Sequence, residues 1–128
     1  MKILDVDHIT INLINVKDSC QFYENIFGFD KISDIDMGDH ILHLYKLSKL
    51  KLELIEYKTK QKRVQAENVN TGIYRHFAMV VDDLEEYRKA CEAAGYGINL
   101  MPTYISQINK TVMLIKDPNG VEIELIQA

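Results

Sequence analysis

The 128-residue sequence predicts an α+β fold, with one domain built from two copies of a strand–helix–strand–strand–strand module. Three observations support this prediction. Short runs of alternating apolar and polar residues recur along the chain, two segments have apolar residues at helical spacing instead, and the segments follow in the same order in both halves. We therefore divide the domain, residues 1–128, into module 1 (5–57), a linker (58–72) and module 2 (73–128).

Composition and charge exclude several classes of protein. Apolar residues make up 47% of the chain, which is enough to form a core, and the formal net charge is −4. Nucleic acids and anionic membranes attract basic surfaces, so we expect neither as a partner. No apolar run approaches the roughly 20 residues that span a bilayer. The N-terminal residues do not resemble a signal peptide and the two cysteines lack CxxC spacing, so we expect a cytoplasmic protein with reduced thiols.

Module 1 begins with the stretch DHITINL, in which polar and apolar side chains alternate from His8 to Leu13. A helix follows, with Asp18 and Gln21 at the spacing of a capping box and Gly28 as the stop signal. Three short strands joined by tight turns, as in an antiparallel meander, complete the module: 30–37, 40–47 and 50–57. The polar linker comes next.

Module 2 repeats this order of elements. A strand over 72–81 leads into a helix over 82–95, which Asp82 or Asp83 caps and Gly95 ends. The apolar stripe of this helix has four members: Leu84, Tyr87, Cys91 and Ala94. Three further strands are predicted after it: 98–104, 110–116 and 121–127.

Both modules carry a histidine on the first strand and a glutamate on the last. Glu53 lies 45 residues after His8, and Glu124 lies 48 residues after His76. On the inner wall of a curled sheet these side chains would be costly to desolvate without a partner, and a divalent cation removes that cost. Imidazole and carboxylate ligands suit Zn, Ni, Co, Mn or Fe(II). Each residue alone is more simply structural, so the matched positions carry the prediction of a metal site.

Three other residues of these strands are weaker candidates. His40 and His43 lie three apart on one strand and therefore face opposite ways, so they cannot act as a pair, and we predict a structural or surface role for both. Glu122 shares a face with Glu124, and either lies at the mouth of the site or acts as a substitute ligand.

Five stretches, in their order and spacing, resemble the vicinal oxygen chelate superfamily and, within it, glyoxalase I: DHITINL, FYENIFGF, KLELIEY, YRHFAMVVDD and KDPNGVEIELIQ. The resemblance implies paired βαβββ modules whose curled mixed sheets form a cup, with the helices outside. It also implies metal ligands on the first and last strands of each module, at His8, Glu53, His76 and Glu124. The liganding acid of the closing motif is the fourth residue after the turn glycine, which favours Glu124 over Glu122.

The ligand set implied by this resemblance is that of bacterial glyoxalase I. Extradiol dioxygenases and fosfomycin-resistance enzymes use two histidines and one glutamate, and methylmalonyl-CoA epimerases typically have glutamine at the position of Glu53. The resemblance further implies a small-molecule substrate and a homodimer with metal sites shared across the interface. Each site would take His8 and Glu53 from one subunit and His76 and Glu124 from the other.

The reaction that the resemblance implies is a proton shift on the hemithioacetal of a 2-oxoaldehyde, as in methylglyoxal detoxification. A divalent metal would stabilise an enediolate, with Glu124 as the base and Glu53 able to play that part from the opposite face. Two substrate-binding positions differ from the family, because Asn12 replaces an arginine that binds the glutathione carboxylate and Tyr57 replaces an asparagine. The basic segment 58–63 could supply the missing positive charge.

Two alternatives remain open at this point. One is an epimerase, similar to methylmalonyl-CoA epimerase, or another enzyme of the superfamily that acts through the same enolate chemistry. The other is a metal-free module that binds a small molecule and confers resistance by sequestering it, as relatives of bleomycin-resistance proteins do. A complete ligand set argues against the second alternative, since a binding module has no need of one.

Overall fold

The computed structural model describes residues 1–128, which form two compact units, 1–63 and 64–128. The first unit contains five elements: β1 (His8–Asn12), α1 (Val16–Asn25), β2 (Lys31–Asp36), β3 (His40–Leu47) and β4 (Leu50–Tyr57). The second unit contains β5 (His76–Val81), α2 (Leu84–Ala94), β6 (Ile98–Ile105), β7 (Lys110–Lys116) and β8 (Glu122–Gln127). The predicted α+β fold with two βαβββ modules is confirmed. Neither helix is long and apolar enough to cross a membrane.

Each unit has one four-stranded mixed sheet, and the two sheets have the same topology. The strand order is β1-β4-β3-β2 in sheet 1 and β5-β8-β7-β6 in sheet 2. In both sheets the first and last strands of the module are parallel neighbours, whereas the remaining pairs are antiparallel. The antiparallel meander predicted for module 1 is therefore present, and module 2 has one as well. In both modules the first strand pairs with the last strand of the meander.

The start of α1 differs from the prediction. Asn15 is the N-cap, and its side-chain oxygen accepts a hydrogen bond from the backbone N–H of Asp18 at 3.0 Å. The predicted capping box of Asp18 and Gln21 is therefore wrong, because Asp18 already lies in the first turn. An acidic side chain is favourable there as well, since it faces the positive end of the helix dipole. The helix ends at Asn25, three residues before Gly28.

The ends of α2 lie where the sequence predicts them. Asp83 is the N-cap, and one of its carboxylate oxygens accepts the N–H groups of Glu85 and Glu86, at 2.9 and 3.2 Å. Gly95 ends the helix with a φ of 77°, a left-handed conformation that favours glycine. The apolar stripe is shorter than predicted, because Ala94 is exposed whereas Leu84 and Cys91 are buried.

The cores lie on one face of each sheet. In unit 1, the fully buried side chains come from α1 and from β3 and β4: Phe22, Tyr23, Tyr45, Leu52 and Leu54. The hydroxyl of Tyr45 donates a hydrogen bond to Glu24 of α1 at 2.7 Å, which ties the helix to this face. In unit 2, the corresponding residues are Cys91, Met113, Ile115, Ile123 and Leu125. The histidines and glutamates of interest lie on the other face of each sheet.

Candidate functional site

The parallel pairing of first and last strands places each histidine beside its glutamate. Thr10 lies opposite Glu53 in sheet 1, and Ala78 lies opposite Glu124 in sheet 2. Each glutamate is therefore opposite the residue two positions after the histidine, and alternate residues of a strand share a face. The two modules thus have the same register, although the spacings in sequence are 45 and 48 residues.

The two histidine–glutamate pairs have nearly the same geometry. Nε2 of His8 lies 3.0 Å from Oε2 of Glu53, and Nε2 of His76 lies 2.9 Å from Oε2 of Glu124. The glutamate side chains are 18% and 19% exposed, and the histidine side chains are 41% and 28% exposed. Each pair is thus a nitrogen–oxygen donor pair that remains accessible from one face of its sheet.

Each pair fits a divalent cation. Its Nε2–Oε2 distance, 2.9 or 3.0 Å, is that of a hydrogen bond, and it is also close to the ~3.0 Å expected between two octahedral ligands at right angles that each lie about 2.1 Å from one ion. Imidazole nitrogen and carboxylate oxygen also match the preferences of first-row divalent metals. The structure brings the four predicted ligands together as two pairs, and no group of three or more His, Cys, Asp or Glu side chains is arranged to hold a metal.

Glu122 has neither of the roles predicted for it. The residue is buried, with 3% of its surface exposed, and so does not lie at the mouth of a site. Its Oε2 accepts hydrogen bonds from the side-chain amides of Asn68 and Asn99, at 2.8 and 2.9 Å, and its Oε1 forms an ion pair with Arg75. A carboxylate engaged in this way is not free to replace Glu124 as a ligand.

The two predicted substrate-binding residues lie on the same face of sheet 1 as Glu53. Asn12 is exposed at the end of β1, opposite Ile55. Tyr57 is 38% exposed at the end of β4, four residues after Glu53. Both side chains are therefore accessible from the face that carries His8 and Glu53.

The structure also places His40 on this face, where the sequence predicted only a structural or surface role. His40 lies opposite Tyr57, and the centroids of the two rings are 5.4 Å apart. The sequence feature that could have predicted the face of His40 is the two-residue turn between β3 and β4, because this turn fixes the register of the hairpin. His43 lies on the opposite face, as predicted, and is buried with both ring nitrogens 2.7 Å from a carboxylate oxygen, of Asp34 and of Glu56.

The basic segment 58–63 is only partly free to bind an anion. The ammonium group of Lys58 forms hydrogen bonds with both carboxylate oxygens of Asp36, at 2.8 and 2.9 Å. Lys60, Lys62 and Arg63 are exposed. Any contribution of this segment to substrate binding would therefore come from these last three residues.

Comparison with solved structures shows that this fold is shared by proteins of different activity. A glyoxalase family protein from Enterococcus faecalis is 22% identical, with a TM-score of 0.81 over 96% of this chain and 97% of that one. The trypanothione-dependent glyoxalase I of Leishmania major is 21% identical, with a TM-score of 0.74 over 97% and 86%. The fosfomycin resistance protein FosX of Listeria monocytogenes is 19% identical, with a TM-score of 0.75 over 99% and 95%.

Sequence comparison identifies the family. A search of curated protein sequences found no significant match. The family model described as the Glyoxalase/Bleomycin resistance protein/Dioxygenase superfamily, however, matches residues 5–125, which include module 1, all but the last three residues of module 2 and both histidine–glutamate pairs. The chain therefore belongs to the glyoxalase/bleomycin resistance protein/dioxygenase superfamily.

Proposed function

We propose that the protein is a metal-dependent enzyme of the glyoxalase I type, which moves a proton between adjacent carbons of a small oxygenated substrate. The observation that carries this proposal is the contact between histidine Nε2 and glutamate Oε2, repeated in the same register in both modules. A single such contact is common in proteins, whereas its repetition at equivalent positions points to a shared purpose.

His8, Glu53, His76 and Glu124 would together hold one divalent ion, of Ni, Zn, Co, Mn or Fe. We propose a homodimer in which each site takes the first pair from one subunit and the second pair from the other. Each unit offers two ligands of the required chemistry, which supports a site made by two modules. When bound, such an ion supplies Lewis-acid stabilisation of negative charge on substrate oxygens.

The surroundings of the two glutamates favour Glu124 as the base. The hydroxyl of Thr10 donates a hydrogen bond to Oε2 of Glu53 at 3.1 Å, whereas the equivalent position beside Glu124 is Ala78. Glu53 is thus held by two side chains, while the carboxylate of Glu124 has a polar contact with the side chain of His76 alone. Glu124 is therefore freer to accept a proton from the carbon next to a carbonyl and to return it to the neighbouring carbon.

For the substrate, we propose the hemithioacetal of a 2-oxoaldehyde such as methylglyoxal, with glutathione as the first thiol to test. Asn12 and Tyr57 would contact it, offering an amide and a phenol group on the face that carries Glu53. Neither side chain is a cation, so we expect binding of an anionic thiol to depend on the exposed cations of segment 58–63. The free cysteines Cys20 and Cys91 are usual in a reducing compartment, and we propose a cytoplasmic location.

The direct test is an assay with methylglyoxal and glutathione after loading with each divalent metal in turn. We expect the thioester of lactate and glutathione to form, and His8→Ala and Glu124→Gln to abolish it. Glu86→Gln, an exposed glutamate on α2, is the matched control and should leave the rate unchanged. Absence of stoichiometric metal, together with no effect of His8→Ala or Glu124→Gln on ligand binding, would instead indicate a binding module.

A second candidate is an epimerase that acts on a CoA ester. The observation that favours it is Asn12, which stands where glyoxalase I has an arginine for the glutathione carboxylate. The proton chemistry assigned to Glu124 is the same in both cases. Exchange of the α-proton of a CoA ester with deuterated solvent, followed by NMR, would distinguish this candidate from the first.

A further inference from the structure

Each candidate ligand histidine is accompanied by one acidic and one basic residue, at two fixed positions. One position is the residue before the histidine, and the other is the residue opposite the histidine on the last strand. In module 1 these residues are Asp7 and Lys51, and in module 2 they are Arg75 and Glu122. The charge pair is therefore present in both modules but in reverse order.

In module 1 the acid reaches the second ring nitrogen of the histidine directly. Oδ2 of Asp7 lies 2.8 Å from Nδ1 of His8, on the side of the ring away from Glu53. The other carboxylate oxygen of Asp7 accepts a hydrogen bond from the Lys51 ammonium at 3.3 Å, and the backbone N–H of Lys51 donates to the Asp7 carbonyl at 3.0 Å. Lys51 thus holds Asp7 in place beside the ring.

In module 2 the acid is farther from the ring and is shared with other groups. Oε1 of Glu122 lies 3.5 Å from Nδ1 of His76 and also forms an ion pair with Arg75. Two asparagine side chains occupy its other oxygen. The contact with the histidine is therefore longer than in module 1, and most of the capacity of the carboxylate is used elsewhere.

We propose that Asp7 is a positioning residue for His8, which fixes the orientation and the tautomer of the ring. An imidazole that donates Nδ1–H to Asp7 presents an unprotonated Nε2 on the side of Glu53. Without Asp7, Glu53 at 3.0 Å would be the only carboxylate beside the ring, and the proton would move to Nε2. A histidine with its proton on Nε2 cannot coordinate a metal through that atom.

This inference rests on the proposed function, because it matters for the site only if Nε2 of His8 is a ligand. Partners of this kind contribute about 10–100-fold to metal affinity in known sites. The same reasoning gives Glu122 a smaller effect on His76, since its contact is 3.5 Å long and Nη1 of Arg75 lies equally far from the same ring nitrogen. The reversed charge pair shows that either position can bring a carboxylate to the same ring atom.

Two measurements on Asp7→Ala test the proposal. The first is the ¹⁵N NMR spectrum of His8 in the metal-free protein, at a pH where the ring is neutral. We expect the Nδ1–H tautomer to predominate in the unmodified protein and the Nε2–H tautomer to predominate in Asp7→Ala. The second is Zn²⁺ affinity by competition with a chelator, which should fall about 10–100-fold in Asp7→Ala.

Two further variants separate positioning from a loss of charge. Asp5→Ala removes an exposed acid two residues earlier, whose carboxylate accepts the backbone N–H of Val6 and does not contact His8, so both readouts should be unchanged. Asp7→Glu restores the carboxylate and should recover part of the affinity and of the Nδ1–H tautomer.

The proposal is overturned if Asp7→Ala has the same His8 tautomer as the unmodified protein, whatever its Zn²⁺ affinity. Failure of the proposed function gives a different result. If the unmodified protein binds no stoichiometric metal, the proposal of a metalloenzyme fails. The tautomer of His8 in the metal-free protein still tests whether Asp7 positions the ring. In that case, a shift of the His8 tautomer in Asp7→Ala but not in Asp5→Ala would support the positioning role, and an unchanged tautomer in Asp7→Ala would refute it.

Discussion

The two modules hold their histidine–glutamate pairs in the same register and at nearly the same distance, yet they surround them differently. In module 1, Thr10 and Asp7 add hydrogen bonds from partly exposed positions. In module 2, Ala78 offers no polar group, and the acid near the histidine is the buried Glu122. The repeated backbone therefore fixes the pair, while the side chains around it have diverged.

This difference suggests that the two pairs have different functions in the proposed site. The first module holds both members of its pair with further side chains, which suits a fixed ligand set. The second module leaves Glu124 with His76 as its partner, which suits a carboxylate that must also transfer a proton. Its buried acid, Glu122, stabilises the fold of the module by accepting hydrogen bonds from Asn68 and Asn99.

The largest expected effect is a difference in kcat between variants of the two glutamates. Glu124→Gln and Glu53→Gln each replace one carboxylate of the candidate site by an amide, so their effects on metal content should be similar. If Glu124 is the base, Glu124→Gln should lower kcat about 10²–10⁴-fold below the value for Glu53→Gln. Rates measured at equal metal occupancy test this, and a lower kcat for Glu53→Gln would reverse the assignment.

The next effect compares the two residues opposite the histidines. Glu122→Ala leaves Arg75 and two asparagine side chains without their acceptor, and we expect it to lower the free energy of unfolding by about 1–3 kcal/mol. Lys51→Ala, at the equivalent position of module 1, removes an exposed pair and should cost less than about 1 kcal/mol. Urea unfolding measures both, and equal losses would contradict the contrast between the buried carboxylate of Glu122 and the exposed pair of Lys51 and Asp7.

The helix caps provide a smaller contrast. Asp83 accepts two backbone N–H groups and Asn15 accepts one. Substitution of either by alanine should cost about 1 kcal/mol of stability, with the larger loss for Asp83→Ala. Asp18→Ala should cost less than Asn15→Ala, because Asp18 is not the cap. Thermal unfolding of the three variants checks this order.

The smallest effect concerns acid pH. In unit 1, the Lys58 ammonium holds the pKa of Asp36 below its usual value, and in unit 2 the Arg88 guanidinium does the same for Glu85. A lowered folded-state pKa gives stability that is present above the unfolded value and lost as the pH falls through the folded value. We expect NMR titrations to place the pKa of both carboxyl groups below their usual values. Lys58→Ala should raise the pKa of Asp36 and not that of Glu85, and Arg88→Ala should do the reverse.

Much of the fold could be predicted because local signals agree with the final structure. The strands 40–47 and 50–57 have the bounds predicted for them, since a two-residue turn separates two clear alternating runs. The strand predicted from residue 72 begins only at His76. The helix cap at Asn15 was missed because Asp18, three residues later, matches the cap pattern equally well.

The candidate site was predictable only in part. The histidine and the glutamate can be recognised from the sequence because they occupy matching positions in the two modules, and the structure brings each pair together. The ion pairs of Asp7 with Lys51 and of Glu122 with Arg75 could not be predicted, because they depend on the register between strands more than 40 residues apart in sequence. His40 was missed for a related reason, since its face follows from its pairing with Tyr57.

Metal content in mixed dimers tests the central claim most directly. One variant lacks the first pair, His8→Ala with Glu53→Gln, and the other lacks the second pair, His76→Ala with Glu124→Gln. We expect neither variant alone to bind a divalent metal tightly, and a mixture refolded together to regain one site in each mixed dimer. Retention of tight metal binding by either variant alone would contradict the account of a site that needs both pairs, and no recovery on mixing would contradict sharing between subunits.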